Sequence, residues 1–240
     1  MARNSFFKFK QFTIDQDKSA MKVCTDACVF GAWADVENAK RILDIGAGTG
    51  LLSMMVAQRN KTAKISAVEL DVEAYLQATE NVFKSPFHNQ IEVFNAAIQD
   101  FSLNEKFDCI ITNPPFFQSD LKSPDAKINL AHHADSLSFD DLLISVERLL
   151  LPNGSWNVLL PVDEGLIFQD LAKKSGWNLA LELTLYHQKG KKAFRKLTRF
   201  NKDEMADNRP VTSELFIYEE DGKTYHSEFK KLLKDYYLIF

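Results

Sequence analysis

The 240-residue chain carries 29 Lys and Arg against 33 Asp and Glu, a formal net charge of −4 at pH 7, with 45% hydrophobic and 26% charged residues. This composition suits a globular protein with an ample core; it excludes a disordered polyelectrolyte and a surface coated in positive potential, while leaving room for a local cationic stripe. No run approaches the roughly 18 apolar residues of a membrane span, and Met1 to Lys8 lack the apolar core and cleavage site of a secretory signal, so the expected compartment is the cytoplasm.

In chain order, Cys24 and Cys28 could share one side of a helix, but with Cys109 they are the only cysteines. No second Cys/His pair completes a metal site, so no metal is expected and the thiols read as small core groups in a reducing compartment. Arg41–Ile45 is short, apolar and β-branched, hence a buried strand. A glycine turn, Asp44-Ile45-Gly46-Ala47-Gly48-Thr49-Gly50, follows it and leads into a helix over Leu51–Gln58. Lys64–Leu70 reads as a strand, Val72–Lys84 as a helix, and Ile91–Asn95 and Phe107–Thr112 as strands. Ser138 caps a helix running to Leu151, with Asp140 and Asp141 where the helix dipole favours them. Asn153-Gly154 then leads into a strand at Ser155–Leu160. Alternating strands and helices imply a parallel sheet covered on both faces.

The last third changes character. From Trp177 to Leu185 apolar residues alternate with polar or small ones, as in a strand wet on one face. Lys192–Phe200 and Val211–Tyr218 read as further strands. Phe229, Leu232, Leu233, Tyr236 and Tyr237 have helical spacing. With no repeat and no low-complexity linker, a single domain over residues 1–240 is expected, comprising an N-terminal segment (1–35) and a core (36–240).

The glycine turn carries the first chemical signal. Glycines after a first strand let the backbone approach a ligand, and the next helix presents unpaired N–H groups. A dinucleotide site would use G-x-G-x-x-G to hold pyrophosphate. Here Gly46, Gly48 and Gly50 are spaced G-x-G-x-G behind Asp44, and a carboxylate there repels pyrophosphate but suits a cationic amino acid moiety. S-adenosylmethionine (SAM), with an ammonium and a sulfonium, fits better than NAD. Glu69, at the end of the second strand, is placed to accept both ribose hydroxyls, and Leu70 beside it joins the cofactor set. The third strand ends in Asn95-Ala96-Ala97-Ile98. Many methyltransferases place an acid near Ala97 for the cofactor adenine; here that contact falls to backbone groups or to Asp100.

The second signal is Asn113-Pro114-Pro115-Phe116, directly after Phe107–Thr112. An exocyclic amine on a base is a poor nucleophile because its lone pair is delocalised into the ring. Two acceptors aimed at its hydrogens hold it and favour pyramidalisation: the Asn113 side-chain carbonyl and the Pro114 backbone carbonyl. The prolines stiffen the turn, and Phe116 offers a stacking face. Catalysis is then mainly positioning of the amine against the sulfonium methyl. This chemistry needs no histidine, so His132 and His133 read as loop or capping residues.

These motifs, together with Phe12-Thr13-Ile14, Met21-Lys22-Val23-Cys24-Thr25-Asp26, Leu121 to Asp125, His132 to Phe139 and Tyr236-Tyr237-Leu238, resemble class I methyltransferases with an Asn-Pro-Pro-aromatic motif. More closely, the chain is similar to the bacterial tRNA1(Val) adenine-N6 methyltransferase family, over nearly its whole length. Cys24 stands where the family usually has glycine, and Phe116 replaces a common tyrosine, keeping the stacking face without the hydroxyl. The resemblance implies an α/β, Rossmann-like class I fold with a seven-stranded, mostly parallel sheet whose last strand is antiparallel. It also implies a segment over the cofactor at Lys22 to Asp26, with Lys22 and Thr25 in contact, and Asn113 touching both cofactor and acceptor. The acceptor it implies is adenine 37 of a tRNA, reached through the anticodon stem–loop. Acceptors such as rRNA guanine N2 or protein glutamine share the same chemistry, and a noncatalytic RNA-binding module is a further alternative.

The cationic run Lys189, Lys191, Lys192, Arg195, Lys196, Arg199 and Lys202, with Phe194 among it and no acid within it, is the expected phosphate-binding stripe.

Overall fold

A computed structural model describes residues 5–19, 21–114, 137–202 and 209–240. The chain opens with a short antiparallel pair, β1 (Phe6–Lys8) and β2 (Thr13–Asp15), followed by α1 (Thr25–Trp33). An alternating unit follows: β3 (Arg41–Ile45), α2 (Leu51–Arg59), β4 (Lys64–Glu69), α3 (Val72–Lys84) and β5 (Ile91–Asn95). Then come β6 (Phe107–Thr112), α4 (Phe139–Leu149), β7 (Leu150–Pro161), α5 (Val162–Lys174), β8 (Asn178–Gln188), β9 (Ala193–Asn201), β10 (Val211–Tyr218) and α6 (Ser227–Leu233).

The main sheet has eight strands in the order β10-β8-β9-β7-β6-β3-β4-β5. Only β9 runs against the others, pairing antiparallel with both β7 and β8. Seven strands and a reversed last member match the expected layout through β9; the count is corrected to eight because β10 adds itself parallel to β8. Its β-branched and aromatic residues suit a strand, and Leu215 and Ile217 alone give it a buried face.

Alternation along the strands builds two cores. Ile42, Ile65, Ile111 and Leu197 face α1, α2 and α6, whereas Leu43, Ile110, Val158 and Phe200 face α4 and α5. Helix α4 begins where its sequence dictates: the Ser138 hydroxyl accepts the Asp141 N–H at 3.0 Å, and the Asp141 carboxylate in turn accepts the Ser138 backbone N–H. Two elements have no counterpart among the sequence-based expectations. The β1–β2 pair is too short for periodicity, and α5 buries only the narrow stripe Gly165, Phe168 and Ala172. Among the described residues, no helix is long and apolar enough to cross a membrane.

The strand order places the site. The chain builds outward from β3 through β4 to β5, then returns to lay β6 on the other side of β3. At such a reversal the two following loops leave in opposite directions, opening a crevice at the carboxyl ends of the strands. The glycine turn follows β3, and Asn113 follows β6. The two motifs, about sixty residues apart in sequence, become neighbours because β3 and β6 are hydrogen-bonded partners, with Ile45 level with Thr112.

Candidate active site

Asp44 is fully buried in the middle of the sheet. One carboxylate oxygen accepts the Ser53 hydroxyl at 2.6 Å; the other, Oδ1, is buried with no hydrogen-bond partner among the described residues. Burial pushes the Asp44 carboxyl up to about 7, opposed by the Ser53 hydrogen bonds and reinforced by the nearby Glu69 charge. An orphaned buried acceptor costs free energy unless a donor arrives. A cationic ligand group is such a donor.

The glycine turn has the geometry that such a ligand needs. Gly46 and Gly48 adopt φ of 72° and 57°, a region that L side chains avoid, and a Cβ at either would meet nothing within 4 Å. The backbone there borders open space. Gly50, at φ 79°, closes the turn and starts α2 against Ala78. Glu69 fixes the rim: its carboxylate accepts the Gly48 N–H at 2.7 Å and the Asp71 N–H at 2.9 Å. Each oxygen keeps a lone pair for a ligand hydroxyl. Leu70 is 57% exposed, an apolar side chain with no core to join. These residues fit SAM: a carboxylate oxygen with no partner among the described residues for its ammonium, a bare backbone turn, and an acid plus an apolar face for the nucleoside.

Asn113 follows β6, and its Oδ1 is likewise buried and unpartnered among the described residues. Pro114 is buried beside it. Pro115, Phe116 and the pair His132 and His133 lie outside the described residues. Ala97 sits in the turn after β5, where its carbonyl accepts from the Asp100 and Phe101 N–H groups. Thr25 is exposed at the start of α1, and the Lys22 ammonium bonds the Gln16 carbonyl within the N-terminal segment.

Three residues that the sequence reading passed over support the site. Ser53 holds Asp44. Asn95 donates to the Glu69 and Leu70 carbonyls, both at 3.0 Å, and so shapes the turn after β4. Arg148 reaches the Ile98, Gln99 and Phe101 carbonyls and pins the loop carrying Ala97. Ser53 had a legible signal, a hydroxyl in the first turn of the helix behind the glycines; the other two act through backbone carbonyls, which sequence does not locate.

The cationic run does not form one stripe, which corrects that expectation. Because β9 is a strand, Arg195 and Arg199 turn toward α1, where they pair with Asp26 (2.6 Å) and Asp35. Lys196 turns the other way and pairs with Glu182 at 2.5 Å, each side chain 12% exposed. Lys202 pairs with Glu147 at 2.5 Å. Lys189 stands 3.9 Å from Glu220, while Lys191 and Lys192 are exposed on the β8–β9 turn with no ion pair among the described residues. Reversing Lys191 and Lys192 to Glu is expected to raise the KM for RNA and flatten its salt dependence at unchanged cofactor affinity. Lys196→Glu is expected to lower stability by about 3 kcal/mol, since it leaves the half-buried Glu182 facing a like charge. Filter binding across a salt series and thermal melts check both; an unchanged salt slope places the RNA surface elsewhere.

The three thiols take no part. Burial pushes Cys24, Cys28 and Cys109 up to about 12, leaving them protonated and unreactive.

The Methyltransferase small domain family matches residues 21–143. A protein of Dyadobacter fermentans named tRNA1(Val) (adenine(37)-N6)-methyltransferase is 60% identical over 240 residues, covering all of both chains. One of the same name from Parabacteroides distasonis is 40% identical over 98% of each. Among solved structures, a predicted O-methyltransferase from Agrobacterium tumefaciens superposes with a TM-score of 0.69 at 19% identity, over 88% of this chain and 96% of that one, a likeness of fold. Identity at this level over the full length of both chains shows that the chain belongs to the tRNA1(Val) (adenine(37)-N6)-methyltransferase family.

Proposed function

We propose that the chain transfers the methyl group of SAM to N6 of adenine 37 in tRNA1(Val), in the cytoplasm. The observation that carries this reading is the Asn113 side-chain carbonyl, buried and unpartnered among the described residues, beside the glycine turn. When bound, SAM supplies an electrophilic methyl on sulfonium. Asp44 neutralises the ammonium at its unpartnered oxygen, the glycine turn admits the chain of the amino acid, and Glu69 accepts the ribose hydroxyls. Asn113 and the Pro114 carbonyl accept the two hydrogens of the adenine amine and hold its lone pair toward the methyl. Their hydrogen bonds also stabilise the positive charge that develops on nitrogen as the sulfonium methyl bond breaks, and the proton then passes to water without a strong base. A buried crevice of this kind receives a base that leaves its stack cheaply, as an anticodon-loop base does, and a paired base costs a few kcal/mol more to extrude.

The test is labelled-methyl uptake by transcripts of tRNA1(Val) with adenine or guanine at position 37, alongside rRNA and bulk protein. Incorporation into the adenine transcript alone is expected. Methylation of the guanine transcript, of rRNA or of protein in its place overturns the assignment.

A further inference from the structure

The β8–β9 turn carries an arrangement that methyl transfer as derived above does not use. The His187 and Phe194 rings stack with centroids 4.1 Å apart and planes 4° apart. The Arg195 guanidinium carbon lies 5.6 Å from the Phe194 centroid, and its Nε is held at 2.6 Å by Asp26. Three flat groups are thereby ordered in one place. Asp26 is buried and anchors one end; His187 is exposed at the other. A stacked pair across a hairpin adds some local stability by itself, but two further observations point outward. Lys191 and Lys192 stand exposed on the turn joining the two rings' strands. The turn also projects from the end of the sheet that carries Asn113.

Strand register fixes the relation. Thr112 is level with Val158 on β7, and Val158 with Thr198 on β9. Because β9 runs backwards, Phe194 lies four residues farther toward the crevice end, and β9 is two strands from β6. At about 3.3 Å per residue and about 4.8 Å per strand, the stack stands on the order of 15 Å from Asn113. One nucleotide cannot place its base at both points. A short unstacked run can.

We propose that the outer face of His187 is a stacking site for an unpaired nucleobase flanking the target adenine, with Lys191 and Lys192 on the adjacent phosphates. The inference rests on the RNA acceptor reading above. Every base has a π-face, so such a site reads no sequence; it reads that the neighbouring nucleotide is free to splay out, which a loop offers and a duplex does not. His187 is thus a specificity residue for loop RNA, and Arg195 and Asp26 are positioning residues for the stack.

The experiment compares wild type, His187→Ala and His187→Trp on an anticodon stem–loop RNA carrying single abasic sites scanned through the loop outside the target. His187→Ala is expected to raise the RNA KM about tenfold, the low end for loss of one base stack, at unchanged SAM affinity. His187→Trp should restore it and show fluorescence quenching on RNA addition. One abasic position should cost wild type a similar factor and His187→Ala nothing further. Wild-type kinetics in His187→Ala, or equal losses at every abasic site in both proteins, overturn the stacking site while leaving the RNA reading intact. A wild-type protein that methylates no RNA overturns both.

Discussion

Asn113→Ala is expected to lower kcat on tRNA by about a hundredfold or more while leaving SAM affinity nearly unchanged. The asymmetry follows from where the lost atom points. Oδ1 of Asn113 is buried without a partner among the described residues, so its removal relieves an unsatisfied acceptor in the free protein. The Asp44 and Glu69 contacts proposed for the cofactor side are untouched by the substitution. What disappears is one of two acceptors on the amine, an interaction that strengthens only as nitrogen gains charge; such interactions lower the barrier more than they aid binding. Single-turnover rates with both substrates saturating, set beside calorimetric SAM affinities, separate the two. A wild-type rate in Asn113→Ala sinks the amine-gripping role.

The second large effect concerns Asp44 and has two opposed parts. Its carboxyl sits at about 7 in the folded protein against an ordinary 3.8, because burial disfavours its charge. The folded state therefore binds the proton more tightly than the unfolded state. The contribution of Asp44 to the stability of the ligand-free protein is greatest below about 4, falls as pH rises toward 7, and is level above that. Ligation runs the other way. A cationic ligand needs the ionised carboxylate, so SAM affinity should rise about tenfold between pH 6 and pH 7.5 and then level off. Asp44→Asn keeps the Ser53 contact without the buried charge. It should melt several degrees higher than wild type at pH 8 without ligand, yet bind SAM about a hundredfold more weakly, with no pH dependence across neutrality. Calorimetry at several pH values and ligand-free melts check both halves. Equal SAM affinity in the two proteins removes Asp44 from the cofactor site.

Legibility from sequence tracked how local each feature is. The glycine turn and Asn113-Pro114 were readable because each is a few consecutive residues at a strand end; that β3 and β6 become neighbours is a matter of strand order, which alternation alone does not give. The alternating apolar residues of β8 and the Ser138 cap were readable for the same reason. The cationic run misled because strand alternation sends Arg195 and Lys196 to opposite faces, and the acids that neutralise them, Asp26 and Glu182, are respectively 169 and 14 residues away. The oxygen of Asp44 left without a partner among the described residues was likewise invisible: an acid before a glycine turn is plain in sequence, but its complete burial and its Ser53 hydroxyl partner are properties of the packed sheet.

The ion pairs of β9 also have a consequence for how the protein comes into being on the ribosome. Asp26 and Asp35 must wait for Arg195 and Arg199, 169 and 164 residues later, and β9 itself must slot between β7 and β8 after both have been made. Contacts of such long range carry the largest loop-closure cost and consolidate late. At synthesis rates of about 5–20 residues per second, the β3–β6 frame exists for several seconds before α1 is clamped along the sheet. The methyl-transfer end of a nascent chain therefore stays unlatched until β9 has emerged, and a chain that stalls before Arg195 carries the motifs of the enzyme without the seated helix that completes it.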